Sequence, residues 1–270
     1  MNITLKMAWK NLWRRKRRTW LTVGAMVFSN VLLVFMISLQ VGMYGMMIDN
    51  TLRAQTGHLQ VQAPGYKDDH KMRQVVPEVR RLAEDLRRGL ASEEVAARAS
   101  AFALISSAER SYGLQITGVE PDFEGRVSSL PGLVKDGRFL DDDRAAEIVI
   151  GRVLARNLQV GVGDELTFIG SGRDGSFAAA VVTLVGIFES GMADLDRSLA
   201  EVPLGFFNDV FAMDGAGHAI VIMAPSLIQV GQIRAKVEAL LPEESDLVVH
   251  DWDALLPGLK QAIQADFTSA

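Results

Sequence analysis

Trp13–Ser38 reads WRRKRRTWLTVGAMVFSNVLLVFMIS. Five consecutive basic residues, Arg14, Arg15, Lys16, Arg17 and Arg18, run straight into a segment that stays free of charge until Asp49. A hydrocarbon core of about 30 Å needs about 20 helical residues, so residues 19–48 are long enough to span a bilayer as one helix. A cleaved export signal is the rival reading. Its apolar region usually runs to about 7–15 residues and closes on a small-residue site. This run is longer and closes on VGMYGMMIDN, so the sequence predicts an uncleaved span. The basic cluster then sets the orientation, with residues 1–18 cytoplasmic and everything after Asp49 outside.

The charge balance of the rest agrees with that division. The net charge is −5, from 28 basic and 33 acidic residues. Seven of the basic residues lie within 1–18, which leaves 21 against 33 acids beyond it, a net of −12. A nucleic-acid-binding protein carries its basic residues over a folded face; here they sit beside an apolar run, and nucleic acid is excluded as a partner. There is no cysteine, so disulfides, thiolate metal sites and cysteine nucleophiles are excluded too.

The flanks of the span carry further information. Ile3, Met7 and Leu12, with Trp9 and Trp13, fit an amphipathic helix lying on the inner leaflet. The span itself holds Gly24, Ser29, Asn30, Ser38, Gln40 and Gly42. Ala25/Ser29 and Ser38/Gly42 have the small-xxx-small spacing that lets helices approach closely. These residues are the candidates for packing against other membrane helices or for lining a substrate groove.

Beyond the span the periodicity changes. HLQVQ (58–62) alternates as a strand, 63–76 reads as loop, and Pro77 is placed to open a helix marked by Val79, Leu82, Leu86 and Leu90. Residues 95–105 alternate again with small side chains, which predicts a strand closely covered by a helix. The middle is strand-rich: 113–119, 147–151, 165–169 and 178–188, with RVLARNL (152–158) as a short helix. GSGRDGSF (170–177) reads as a hairpin tip, and Arg173, Asp174 and Phe177 on it are candidate partner contacts. A last section predicts helix 204–212, strand 219–224, helix 226–241, strand 246–250 and a closing helix striped by Trp252, Leu255, Leu256, Leu259, Ile263 and Phe267. The fold class is α+β: one transmembrane helix, then a domain of residues 49–270 with a β-rich subdomain inserted in it.

The search for chemistry returns little. No phosphate-binding G-x-x-x-x-G-K-[ST], H-E-x-x-H or G-x-S-x-G occurs. The four histidines are scattered, with His58 and His250 expected at opposite ends of the fold. Asp141–Asp143 reads as a solvated turn, and Asp194 and Asp196 in GMADLD as a loop. Gly161 and Gly163 open a turn in which Asp164 fits. The sequence predicts no catalytic residue, no metal and no cofactor, which leaves binding, coupling or mechanical transmission.

Seven stretches in order carry a resemblance over nearly the whole chain. They are AWKNLWRRKRRTWLT (8–22), TGHLQVQAPGY (56–66), ITGVEPDFE (116–124), LPGLVKDGRFL (130–140), EIVIGRVLARNLQVGVGDELTF (147–168), VVTLVGIFESGMADLD (181–196) and WDALLPGLKQAI (252–263). Together they resemble the ABC transporter permeases of the FtsX/MacB/lipoprotein-releasing class. The resemblance implies a first span and a large periplasmic domain of Porter-plus-Sabre type, with residues 49–108 and 200–270 Porter-like and 109–199 the Sabre-like insertion. It implies a bacterial inner-membrane location and, as partners, a separate cytoplasmic ABC ATPase, a second permease chain (identical or different), a periplasmic carrier or lipoprotein, and membrane lipids. The work done would be lipoprotein release, expulsion of another substrate, or control of cell-wall hydrolases. Such permeases have three more spans; their absence here implies a fragment, a shortened chain or a permease split over two chains. A self-sufficient single-span binding or scaffold protein is the alternative.

Overall fold

In the computed structural model, residues 7, 15–54, 56–92, 94–242, 245–258 and 261 are described. The chain divides into two compact units, Met1–Asp49 and Asn50–Ala270. Apart from Met7, the residues named for the expected inner-leaflet helix, with Arg14, and Leu259, Ile263 and Phe267 of the expected closing helix lie outside the described residues.

In chain order the elements are helix α1 (Lys16–Ala54), strand β1 (Leu59–Gln62), α2 (Tyr66–Asp69), α3 (Val79–Leu90), β2 (Val95–Ser106), β3 (Ser111–Val119) and α4 (Pro121–Val127). There follow β4 (Val134–Gly137), β5 (Glu147–Gly151), α5 (Arg152–Leu158), β6 (Glu165–Ser171), β7 (Phe177–Phe188), α6 (Ala193–Ser198), β8 (Leu199–Pro203) and α7 (Leu204–Val210). The last are β9 (Ala219–Ile222), α8 (Val230–Leu240), β10 (Val248–Asp251) and α9 (Trp252–Leu255).

Helix α1 contains the apolar stretch, Lys16–Gln40, long enough to cross a membrane. It continues without a break to Ala54. Its end is sealed by glycine chemistry. Gly57, at φ 67°, turns its N–H back to the Leu52 carbonyl at 2.7 Å, a left-handed stop that a side chain resists. A methyl group there would also press on the Ile222 carbonyl oxygen at 3.3 Å. Leu52 and Ala54 are buried in the second unit, and the Arg53 carbonyl accepts the Ser129 N–H at 3.1 Å.

The ten strands join one sheet, ordered β10-β1-β9-β2-β3-β8-β5-β7-β4, with β6 pairing both β2 and β7. The ladders β2–β3, β3–β8, β8–β5, β5–β7, β7–β6 and β6–β2 therefore close on themselves. Strand β2 is the seam. Val95–Arg98 pairs with β9, Ala103–Ser106 pairs with β6, and its other edge pairs with β3 along Arg98–Ser106. Closure spares these six strands an open edge that would invite association, and leaves β10 and β4 at the ends of the sheet.

Alternation divides each strand between two faces. The inner set, Ala97, Ala99, Ala101, Ala103 and Ile105 of β2 with Leu114 and Ile116 of β3 and Ala200 and Val202 of β8, belongs to the main core. The small residues of β2 make room for α3 and α7, as their spacing predicts. Gly118 does the same for Phe207, whose ring would meet any Cβ placed there. Phe211 stacks between Phe168 and Phe207, with centroid distances of 5.8 and 4.3 Å.

Several expectations need correction. Helix α3 starts at Val79, not Pro77; Glu78 between them takes φ 43°. The 63–76 loop contains α2. GMADLD is not a loop: Asp194 and Asp196 lie on α6, where buried Asp196 accepts the Ser190 hydroxyl at 2.6 Å and the Ser190 N–H at 2.9 Å. The hairpin strands run on to Ser171 and from Phe177, so the turn is 172–176. His58 and His250 are not at opposite ends, because β1 pairs β10 with Gln60 opposite His250. Asp143 is more than a solvated turn residue: it pairs with Arg80 and accepts the Gly205 N–H at 3.2 Å. Helices α4 and α6 and strands β4 and β8 went unpredicted.

Candidate functional site

The outer face of the sheet has two unlike halves, and the polar half encloses a cavity of ≈ 410 Å³. Gln60 and Gln62 come from β1, Arg98 and Ser100 from β2, Gln115 and Thr117 from β3, and Glu201 from β8. Each is the strand neighbour of a core residue, so the alternation that builds the core also aims these polar groups away from it. Register lines them up: Ser100 stands opposite Thr117, and Thr117 opposite Glu201.

The charges inside are tightly held. Arg98 forks onto the Glu124 carboxylate of α4, Nε donating to Oε2 at 3.2 Å and Nη2 to Oε1. Arg98 and Glu124 are both buried, and a planar two-point pair is the arrangement in which a buried charge is best compensated. Glu201 is 2 % exposed. Its Oε2 has no hydrogen-bond partner among the described residues. Burial, then the neighbouring Glu124 charge, pushes its carboxyl up to about 8, against the opposing pull of Arg98. At neutral pH Glu201 is thus held mainly protonated.

Aromatic and imidazole groups form one wall. Tyr66 stacks on His218 with centroids 4.9 Å apart, and His218 Nδ1 accepts the Ser100 N–H at 2.9 Å. Burial brings His218 down to about 4, so the ring stays neutral; burial pushes the Tyr66 hydroxyl up to about 12. Among the described residues no cluster of three or more His, Cys, Asp or Glu could hold a metal ion.

The other half of the outer face is apolar and bare. Phe102 and Leu104 of β2, Ile169 of β6, and Phe177 and Val181 of β7 are all exposed. Register places Leu104, Ile169 and Ala179 in one row across three strands, and Ser171 opposite Phe177 in the next.

The residues singled out in the sequence fall elsewhere. Arg15 precedes α1, and Lys16, Arg17 and Arg18 form its first turn. Cations there oppose the helix dipole, so helix stability is not what they supply. About 100° per residue puts Gly24, Ser38 and Gly42 on one stripe of α1, Ser29 and Gln40 on a second, and Asn30 on neither. Asn30 Nδ2 donates to the Met26 carbonyl at 2.9 Å, so part of its polarity is met within its own helix. On the hairpin, Arg173 donates from Nη1 to the Met213 carbonyl at 2.8 Å and from its N–H to the Phe211 carbonyl at 2.9 Å. Asp174 accepts the Ser176 N–H at 2.8 Å. Arg173 fastens the turn to the domain, Asp174 braces the turn internally while staying exposed, and Phe177 is 74 % exposed. The cavity went unread, because Arg98, Glu124 and Glu201 are 26 and 77 residues apart and no local spacing joins them.

An apolar helix long enough to cross a membrane precedes an α+β domain with a partly closed sheet, and two solved structures share the fold of that domain. One is the extracellular domain of the noncanonic ABC-type transporter YknZ from Gram-positive bacteria, 16 % identical, TM-score 0.52, covering 72 % of this chain and 99 % of that one. The other is the periplasmic region of MacB from Actinobacillus actinomycetemcomitans, 14 % identical, TM-score 0.52, covering 78 % of this chain and 94 % of that one. No curated protein matches the chain. Residues 19–240 match the MacB-like periplasmic core domain family, and the chain belongs to it. It is a permease component of the MacB/FtsX-like ABC transporter class, as the resemblance implied.

Proposed function

We propose that the chain is a permease subunit, or the N-terminal part of one, in an ATP-driven inner-membrane system of the MacB/lipoprotein-releasing type. A separate cytoplasmic ATPase moves the span, and the domain outside turns that movement into work on a lipid-linked or periplasmic substrate. The observation that carries this reading is the match of residues 19–240 to the MacB-like periplasmic core domain family, with an apolar helical stretch, Lys16–Gln40, long enough to cross a membrane. The basic cluster at its start, set against the helix dipole, suits a cytoplasmic face rich in anionic lipid, which supports the orientation read from the sequence.

The Porter-like and Sabre-like division is part of this proposal. It is supported by the sheet order: β10, β1, β9 and β2, drawn from 49–108 and 200–270, are neighbours at one end, whereas β5, β7 and β4 come from 109–199. The small and amide residues of the span, Gly24, Ser29, Ser38, Gln40 and Gly42, are the proposed contacts with further membrane helices of a second permease chain. The hairpin contact narrows to Phe177.

Co-purification tests the proposal. The full chain, tagged and extracted from native membranes in mild detergent, is expected to bring an ATP-hydrolysing subunit with it; recovery without one contradicts the reading. Depletion of the chain in cells then tests the substrate. Lipoproteins retained in the inner membrane support lipoprotein release, and unchanged sorting excludes it.

A further inference from the structure

We propose that the cavity on the polar half of the outer face binds a small soluble molecule carrying a primary ammonium group, with Glu201 as its counter-charge. The inference rests on two buried, unpartnered oxygens in the walls, Glu201 Oε2 and Gln62 Oε1, and is independent of the transport reading.

Several of the wall's donors are already engaged. Gln60 Nε2 donates to the Thr56 carbonyl at 2.7 Å, and Gln62 Nε2 to Gln60 Oε1 at 2.5 Å. Arg98 is forked onto Glu124, and Lys67 at the rim donates to Asp68 at 2.7 Å. The acceptors are not spent. Glu201 Oε2 and Gln62 Oε1 are both buried, and neither has a hydrogen-bond partner among the described residues. A buried polar atom left without a partner costs about 1–3 kcal/mol, so two in one cavity mark it as built for something that donates.

Charge narrows the class. Arg98 is matched by Glu124, so an ionised Glu201 would be a surplus negative charge. The other charged and titratable groups lining the cavity are Asp194 on α6, His218 before β9, and Tyr66, Lys67 and His70 in and just after α2. Of these, Asp194 adds to the negative end, and neutral His218 does not offset it. A cation that donates hydrogen bonds satisfies both the orphan oxygen and the surplus charge; a neutral amide meets only the first, and an anion neither. The volume lies in the range of about 300–1,000 Å³ usual for small-molecule sites. Asp194 and His70 are exposed, so the mouth reaches solvent.

Binding carries a proton signature. Glu201 is mostly neutral at pH 7 and must ionise to meet an ammonium, so its proton leaves as the ligand arrives. No bond other than that O–H is broken.

The test is calorimetry on the full chain in detergent with ethanolamine, glycinamide and cadaverine as probes. Tetramethylammonium, a cation without donors, and acetamide, a donor without charge, serve as controls. The expected result is that at least one amine binds ten times or more tighter than either control. Titrations in buffers of different ionisation heat are expected to show release of most of one proton at pH 7 and little at pH 9. In Glu201→Gln, which replaces a largely neutral carboxyl by an amide of the same shape, affinity is expected to fall at least tenfold and the proton release to vanish. Failure of all three amines to bind overturns the proposal. So does binding without proton release in the wild-type chain, a readout that does not depend on the variant folding.

Discussion

Strand β2 runs through two environments on one face. Its outward residues Arg98 and Ser100 sit in an enclosed polar cavity, and the next two, Phe102 and Leu104, are bare. Inward, the same strand is uniformly small and apolar from Ala97 to Ile105. The inner face is settled by alternation, because whatever points inward meets the core. The outer face is settled by what lies over it: α4 and α6 supply Glu124 and Asp194 at one end, and the other end carries no such cover among the described residues. Fixing which way a side chain points is a local matter; fixing what it meets is not.

That contrast can be broken experimentally, the largest effect first. Phe168→Ala, in the stacked ring cluster, is expected to cost about 3–5 kcal/mol by urea unfolding of the full chain in detergent followed by circular dichroism. A loss under 1 kcal/mol would mean the inner face is not a packed core. Next comes the ion pair. Glu124→Gln leaves Arg98 with Glu201 as a substitute partner, so its cost is expected to stay below the about 3–5 kcal/mol typical of a broken buried pair. Adding Glu201→Gln removes the substitute, and the double variant is expected to lose more than the sum of the singles. Additivity would show that the two carboxylates do not share the arginine.

A third prediction concerns the stop of α1. Gly57→Ala forces a side chain into φ 67° and against the Ile222 carbonyl, and is expected to cost about 1–3 kcal/mol. The fourth follows from the raised carboxyl of Glu201. The stability it supplies by being neutral is complete below the ordinary carboxylate range and is lost as pH rises through about 8. Glu201→Gln should therefore flatten the fall in unfolding free energy between pH 5 and 9 in the same urea series. Neutral His218 acts in the opposite sense: its contribution is present above the ordinary imidazole range and is lost as pH falls through about 4. The smallest effect belongs to the bare half. Phe177→Ala is expected to change stability by no more than about 0.5 kcal/mol, and a large loss would show that something covers the ring.

Much of the fold could be read in the chain because its signals are local. EIVIG and RVLARNL became β5 and α5 at the boundaries read from the sequence, since Gly151 and the apolar pattern mark them within a few residues. Alternation in 95–105 gave both β2 and the tight cover over it. Strand β8 was hidden because LAEVP places a carboxylate in the middle of a strand, which reads as exposed until Arg98, 103 residues earlier, is set beside it. Closure of the sheet through β6 was hidden for the same reason, because pairing of Leu104 with Ile169 is a property of the fold and not of either stretch. The cavity inherits that obscurity. The hairpin residues Arg173 and Asp174 show the reverse: they read as charges on a glycine-rich tip, and the fold also uses them to hold the turn.

The proposed orientation keeps the basic start inside the cell and the sheet outside it. The chain has no cysteine, so single introduced cysteines report position without background. Cells expressing Ala179→Cys or Arg17→Cys, with the outer barrier made permeable, would be treated with a membrane-impermeant maleimide before and after lysis. Labelling of Ala179→Cys in intact cells, and of Arg17→Cys only after lysis, is the predicted result; the reverse pattern, or labelling of both in intact cells, would contradict it.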